Sequence, residues 1–220
     1  LKTLYLLHGA CQDHTSWMRG SKIEEYATKH NLAVVMPMAY NTCYTNMVYG
    51  MEYYSYLSEE LPAAMEAMFP LSDKKEDRFV AGLSMGGRGA FLWAMKRPDF
   101  FAGSASLSGS LNLNILFEQM KMNESGIRRY TSVFGDLSKL KDSEHDIYWL
   151  AKKLVESGAE MPRFLIGCGT EDIRYETQHK PFIEYAQQIG LPLESMEGPG
   201  DHEFKYWDPA VKQAIEWFLK

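Results

Sequence analysis

The sequence predicts an α/β protein built on a doubly wound, mainly parallel sheet. Short apolar runs of strand length alternate with amphipathic stretches of helical period along the whole chain. The runs are continuously apolar rather than alternating, the pattern of strands buried on both faces. Near the middle, Gly82-Leu83-Ser84-Met85-Gly86 joins the β-prone Arg78-Phe79-Val80-Ala81 to the helix-compatible run from Gly87 to Met95. A tight turn of that kind belongs between a strand and a helix.

At 220 residues the chain can bury one sizeable core, so one domain over 1–220 is expected. Apolar residues make up 45% and charged residues 24%, the ordinary globular balance, which argues against a disordered or fibrous class. No stretch reaches the length of a membrane-spanning helix, and no signal-peptide series is visible. A formal net charge of −6 offers no basic footprint for nucleic acid or anionic lipid. The three cysteines, Cys11, Cys43 and Cys168, have neither a pairing framework nor metal-ligand spacing, so a reducing, cytoplasmic setting is the expectation, without metal or cofactor. The sequence opens at Leu1, without an initiator methionine and directly on an apolar run. Strands or a targeting segment are therefore expected upstream.

Leu4 to Leu7, ending in His8-Gly9, reads as the first buried strand. Trp17 begins a mixed stretch in which Ile23, Tyr26 and Ala27 share a helical face, and Ala33-Val34-Val35-Met36 gives a second strand stopped by Pro37. Tyr40 to Tyr54 is a long loop whose tyrosines either pack over the sheet edge or line a substrate pocket. Leu57, Leu61, Ala64, Met65 and Met68 define an amphipathic helix that Pro62 should kink. Pro98 ends the helix after the turn, and Gly103 to Ser108 is a strand of small residues. Residues 109–140 are the least regular, although Leu113, Leu116, Phe117 and Met120 share a helical face; the segment is either a small cap over the site or an exposed connection. Ser143 with Asp146 resembles a capping arrangement for a helix burying Ile147, Leu150, Ala151, Leu154 and Val155 and closed by Gly158. Arg163 to Cys168 is the next strand. A helix carrying Phe182, Ala186 and Ile189, a strand Leu193 to Met196, and a helix with Val211, Ala214, Ile215 and Phe218 complete the alternation.

The central pentapeptide matches G-x-S-x-G, the nucleophile elbow of the α/β-hydrolase fold. Such a turn lifts Ser84 clear of the sheet and places the Met85 N–H at a helix N-terminus, ready for a developing oxyanion. A serine hydroxyl needs a histidine base, and that base needs a carboxylate to set its tautomer. Among six histidines, His8 and His202 follow strands, as sites of open parallel sheets require, whereas His14, His30, His145 and His179 fall elsewhere. The hydrolase order of serine, acid, histidine selects His202. Asp172, four residues beyond a buried strand, is the preferred acid, with Glu171 and Glu176 as competitors because spacing does not say which side chain points inward. Asp201 and Glu203 read as solvated loop charges. The loop after the first strand should supply the second oxyanion donor, the Ala10 N–H, with His8 bracing it and Cys11 a small filler near the pocket.

The chain resembles the esterase D-type carboxylesterases, and within them the small bacterial tributyrin esterase branch. The resemblance rests on Leu4 to Gly9 with Trp17, Val34 to Pro37, Tyr44-Thr45, Tyr49-Gly50 with Tyr53-Tyr54, Glu59 to Pro62, Ala81 to Gly87, Cys168-Gly169 with Asp172, and His202-Glu203 with Trp207. It covers nearly the whole chain. It implies Ser84 as nucleophile, Asp172 as acid, His202 as base, backbone donors at Ala10 and Met85, and hydrolysis of short-chain acyl esters, with some relatives removing acetyl or feruloyl groups from carbohydrates. Gln12 stands where the family's second loop glycine is usual, and Asn46 where relatives often carry Asp. The expected partner is a small-molecule or carbohydrate ester, with homo-oligomerisation left open. A thioesterase like S-formylglutathione hydrolase, an acyltransferase, and a catalytically silent hydrolase-fold binding module are the alternatives.

Overall fold

Strand β1 (Lys2–Leu7) shows why this chain makes a two-layered sandwich around a sheet. Its even residues Leu4 and Leu6 join one buried cluster, and Tyr5 and Leu7 join another on the opposite face. The computed structural model describes all residues except Met120 and Met122. Six parallel strands lie in the order β2-β1-β3-β4-β5-β6, where β2 is Leu32–Val35, β3 Arg78–Leu83, β4 Gly103–Leu107, β5 Arg163–Gly169 and β6 Leu193–Gly198. One face is covered by α5 (Met85–Lys96), α8 (Ile147–Ser157) and α9 (Lys180–Ile189). The other is covered by α1 (Ser16–Gly20), α2 (Ile23–Lys29) and α10 (Phe204–Phe218).

The strand order reverses between β1 and β3, since β1 leads outward to β2 and β3 starts the run in the other direction. Ligands of open α/β sheets bind beyond the carboxyl ends at such a switch point. Leu7 and Gly82 are register partners there, so the loop after β1 and the turn after β3 leave the sheet side by side.

Local chemistry sets the helix ends. Asp146 caps α8 by accepting from the Tyr148 and Trp149 N–H groups, while Ser143 donates back to the Leu140 carbonyl and takes no part in the cap. Gly158 and Gly190 end α8 and α9 in the left-handed conformation, as expected. Pro62 acts differently from the expected kink. It sits in the first turn of α4 (Leu61–Met68), where a missing N–H costs no helix bond, and the chain reaches it from α3 (Tyr53–Ser55) through a π-helical turn at Tyr56–Glu60.

Residues 109–140 are more regular than the sequence indicates. They contain α6 (Leu113–Gln119) and α7 (Glu124–Phe134), the latter capped by Asn123 and closed by Gly135 at φ 73°. Leu113 and Leu116 are buried and Phe117 is partly buried against the same cluster, whereas Met120 lies outside the described residues. No helix among the described residues is long and apolar enough to cross a membrane.

Candidate active site

Ser84 follows β3 directly and starts α5, at φ 55° and ψ −114°. A non-glycine residue pays roughly 1–3 kcal/mol for such a conformation, so surrounding bonds must impose it. They do: the Ser84 N–H donates to the Leu107 carbonyl at 2.8 Å, and the Ser84 carbonyl accepts from the N–H groups of Arg88 and Ser110. The flanking glycines are steric requirements. A Cβ on Gly82 would collide with the Gly86 carbonyl, and a Cβ on Gly86 with the Leu7 carbonyl, both backbone atoms that cannot yield.

His202 and Asp172 come from loops that dock on each other. The Thr170 N–H donates to the Gly198 carbonyl and the Glu171 N–H to the Gly200 carbonyl, binding the loop after β5 to the loop after β6. This brings His202 Nδ1 to 2.6 Å from Asp172 Oδ2. The carboxylate accepts, so Nδ1 carries the hydrogen and Nε2 keeps its lone pair. Asp172 is 2% exposed, and burial would raise its pKa. Its hydrogen bonds from His202, from the Arg174 N–H and from the Ser108 hydroxyl, with the charge of His202, outweigh that and hold the carboxyl below its ordinary value. Glu171 is exposed, and Glu176 pairs with Lys180 at 2.6 Å, so neither competitor faces the histidine. Asp201 and Glu203 are exposed too.

Two residues that orient this pair were not singled out for that role in the sequence. Ser108, at the carboxyl end of β4 with φ 49°, accepts from Trp207 Nε1 at 3.1 Å, and the Trp207 ring meets the His202 ring edge-on at 4.7 Å. Its place as the last residue of an expected strand, at the carboxyl end where sites of parallel sheets lie, was the available signal for Ser108. The Cys168 thiol lies 3.9 Å from the Ser108 hydroxyl; burial, then the charge of Asp172, pushes it up to about 12, so it stays protonated.

The loop after β1 is built from its own side chains. His8 Nε2 accepts from the Ala39 N–H at 3.0 Å, so Nδ1 is protonated and donates to the Gly9 carbonyl at 2.8 Å. Burial lowers the pKa of His8, which is therefore a neutral brace. Gln12 folds back, its Oε1 accepting from the Gly9 N–H at 2.9 Å, and Asn41 accepts from the Cys11 N–H at 2.7 Å. Between these, the Ala10 N–H donates to no described residue. Met85 is the first residue of α5, whose opening N–H groups the helix leaves unpaired. Cys11 lies near the pocket, as expected, but is exposed at the cavity edge with its backbone at φ 59° rather than packed as a filler. Asn46 bonds Ser55 through both ends of its amide and stabilises the loop.

Ser84 stands between two cavities. One, of about 330 Å³, is shared with Gln12, His202, Phe204 and Trp207. The other, of about 180 Å³, runs past Ala10 and Met85 to Cys43, Leu113, Leu116 and Tyr130. Of the tyrosines in the Tyr40 to Tyr54 loop, Tyr44 is fully buried and donates to the His8 carbonyl at 2.9 Å, while Tyr40 and Tyr49 are exposed. Among the described residues no group of three His, Cys, Asp or Glu side chains is arranged to hold a metal ion.

Below the second cavity, His145 is pushed down to about 4 by burial and then by the charge of Arg88, whose guanidinium donates to the His145 carbonyl at 2.6 Å. A histidine held neutral in the native state binds a proton in the unfolded chain first, near pH 6.5. Stability is thus complete above about pH 6.5 and falls as the pH drops toward 4, by at most about 3 kcal/mol from this group. Urea unfolding across pH 4 to 7 should show that slope, and His145→Gln should flatten it; an unchanged slope in the variant would assign it to other groups.

The Esterase family matches residues 1–218 of this chain. An acetyl esterase of Caldicellulosiruptor saccharolyticus is 30% identical over 224 residues, spanning 100% of this chain and 84% of that protein. The substrate-bound structure of FphF, a fluorophosphonate-binding serine hydrolase of Staphylococcus aureus, superimposes with a TM-score of 0.93 at 40% identity, covering 100% of this chain and 84% of that one. The apoenzyme of an S-formylglutathione hydrolase, FrmB, from the same organism gives a TM-score of 0.89 at 40% identity with the same coverage. A ferulic acid esterase at 19% identity and a TM-score of 0.77 shares the fold. With a parallel α/β-hydrolase sheet and a family match over nearly its full length, this chain belongs to the Esterase family as a serine esterase.

Proposed function

We propose that the protein hydrolyses short-chain acyl esters through Ser84, His202 and Asp172. The observation that carries this reading is the 2.6 Å pair of His202 and Asp172 opening on the cavity that also holds Ser84 on its strained turn. His202 Nε2 takes the Ser84 proton as the hydroxyl oxygen attacks the ester carbonyl. The Ala10 and Met85 N–H groups receive the oxyanion, and His202 then protonates the departing alcohol. Water attacks the acyl-serine by the same route, returning the acid and free Ser84.

The alcohol leaves beside His202, so its moiety belongs in the wider cavity with Phe204 and Trp207. The acyl group belongs in the narrower one, whose 180 Å³ is about the volume of six waters. Leu113, Leu116 and Tyr130 of the 109–140 segment wall that cavity, which supports reading the segment as a small cap on a single domain. The free thiols Cys11, Cys43 and Cys168 fit a reducing, cytoplasmic setting. A thioester reading stands second, favoured by 40% identity to the S-formylglutathione hydrolase of S. aureus. Turnover of p-nitrophenyl acetate, butyrate and octanoate tests the acyl assignment. Acetate and butyrate should turn over, with octanoate at least tenfold lower in kcat/KM because its chain exceeds the cavity. Inactivity toward all three would overturn the esterase mechanism, and equal rates would overturn the placement of the acyl group. Formyl and acetyl thioesters run beside them decide between the two readings.

A further inference from the structure

The narrow cavity beside Ser84 carries an unbalanced charge. Arg88, Arg129 and Arg174 all line it, and no carboxylate of a described residue does. Arg174 has a partial partner, Asp172 Oδ1 at 3.8 Å, and its Nε donates to Ser110 Oγ at 3.4 Å. Arg88 and Arg129 have no acidic side chain within ion-pair distance among the described residues. Arg88 is 1% exposed, donates only to the backbone carbonyls of Cys43 and His145, and leaves Nε without an acceptor. Arg129 also has a buried Nε without an acceptor, although its side chain hydrogen-bonds that of Tyr130 and its guanidinium lies 4.7 Å from the Tyr130 ring centroid.

Arg88 is the fully buried one and Arg129 and Arg174 are partly buried. A buried guanidinium without an anion is costly, and charge-assisted bonds to a carboxylate recover much of that cost. Nearby His145, held neutral, adds no further positive charge. For a purely aliphatic acyl chain an apolar pocket would suffice, and Leu113 and Leu116 supply only part of this wall.

Resting on the esterase reading above, we propose that this cavity receives an acyl group ending in a carboxylate, so that the substrate is a monoester of a short dicarboxylic acid. Arg129 and Arg174 bind the distal carboxylate, and Arg88 supplies a fixed positive field beneath it. The volume admits a succinyl or glutaryl chain, at about six to eight heavy atoms. In the reaction the acyl C–O bond breaks, water contributes hydroxyl to the acyl carbon and a proton to the alcohol, and the dicarboxylic acid and alcohol are released. No oxidant or cofactor enters this balance.

The test compares monoethyl succinate and monoethyl glutarate with ethyl acetate and ethyl pentanoate by pH-stat, in the full-length protein and in Arg129→Gln and Arg129→Lys. The wild type should prefer the charged monoesters over ethyl pentanoate by at least tenfold in kcat/KM. That ratio should fall to near one in Arg129→Gln and be largely kept in Arg129→Lys, a rescue that a merely structural role would not produce. Equal or lower turnover of the charged monoesters by the wild type overturns the proposal while ethyl acetate turnover keeps the esterase reading. A ratio unchanged in Arg129→Gln overturns the arginine assignment. Wild-type inactivity toward every ester overturns the esterase reading, and the substrate class with it.

Discussion

Ser84→Ala should lower kcat/KM for p-nitrophenyl acetate by about 10⁴-fold or more while leaving the fold intact. The size follows from the step removed in the proposed mechanism: without Oγ no acyl-enzyme forms, and only the proposed oxyanion donors of Ala10 and Met85 and substrate binding remain. The fold should survive because the strain at φ 55° belongs to the backbone and Cβ, which alanine retains, and because the bonds to Leu107, Arg88 and Ser110 are made by main-chain atoms. Circular dichroism and the melting temperature check the fold, and active-site labelling with a fluorophosphonate checks the nucleophile. Substantial residual turnover in a folded variant would point to another nucleophile, with the exposed thiol of Cys11 at the cavity edge the first to examine.

Asp172→Asn should reduce kcat by about 10³- to 10⁴-fold at neutral pH with little change in KM. Asparagine is nearly isosteric, but its amide can donate to His202 Nδ1 where the carboxylate accepted at 2.6 Å. That reverses the tautomer, placing the hydrogen on Nε2, which then no longer accepts the Ser84 proton. The variant also withdraws the negative charge that stabilises the imidazolium. In the wild type the Asp172 carboxyl is held below its ordinary value, so its contribution to stability is present above about pH 4 and fades as the pH falls through that lowered value. On the proposed mechanism, neutral-pH activity therefore rests on an ionised Asp172. A small kcat loss with a large KM rise would move Asp172 from orienting His202 to binding substrate.

Much of the architecture was open to reading in one dimension because its determinants are local. Continuous apolar runs such as Leu4 to Leu7 and Phe79 to Leu83 mark strands covered on both faces, and their alternate residues enter two separate clusters. The elbow at Gly82 to Gly86 is similarly legible, since the collisions that exclude larger residues involve neighbours in the turn and on the adjacent strand. The helix stops at Gly158 and Gly190 needed only a left-handed residue. Where the reading differed from the structure, the cause was a contact made at a distance or a local geometry with several solutions. Pro62 fits the first turn of α4 because a π-helical turn precedes it. Cys11 looks small enough to fill a gap, yet the bond from its N–H to Asn41 holds the loop so that it stays exposed.

The order of Ser84, Asp172 and His202, each just beyond a strand, is written into the chain, as is the alternation that builds the sheet beneath them. Which carboxylate meets His202 was settled by packing: the loops after β5 and β6 bind each other through Gly198 and Gly200, turning Asp172 inward and leaving Glu171 in solvent. The support from Ser108 and Trp207 and the convergence of Arg88, Arg129 and Arg174 on one cavity are of the same kind. Hydrophobic period and turn chemistry act between near neighbours and can be read along the chain. The direction of a polar side chain depends on partners far away in sequence, and exists only once the strands have paired and the loops have closed over their ends.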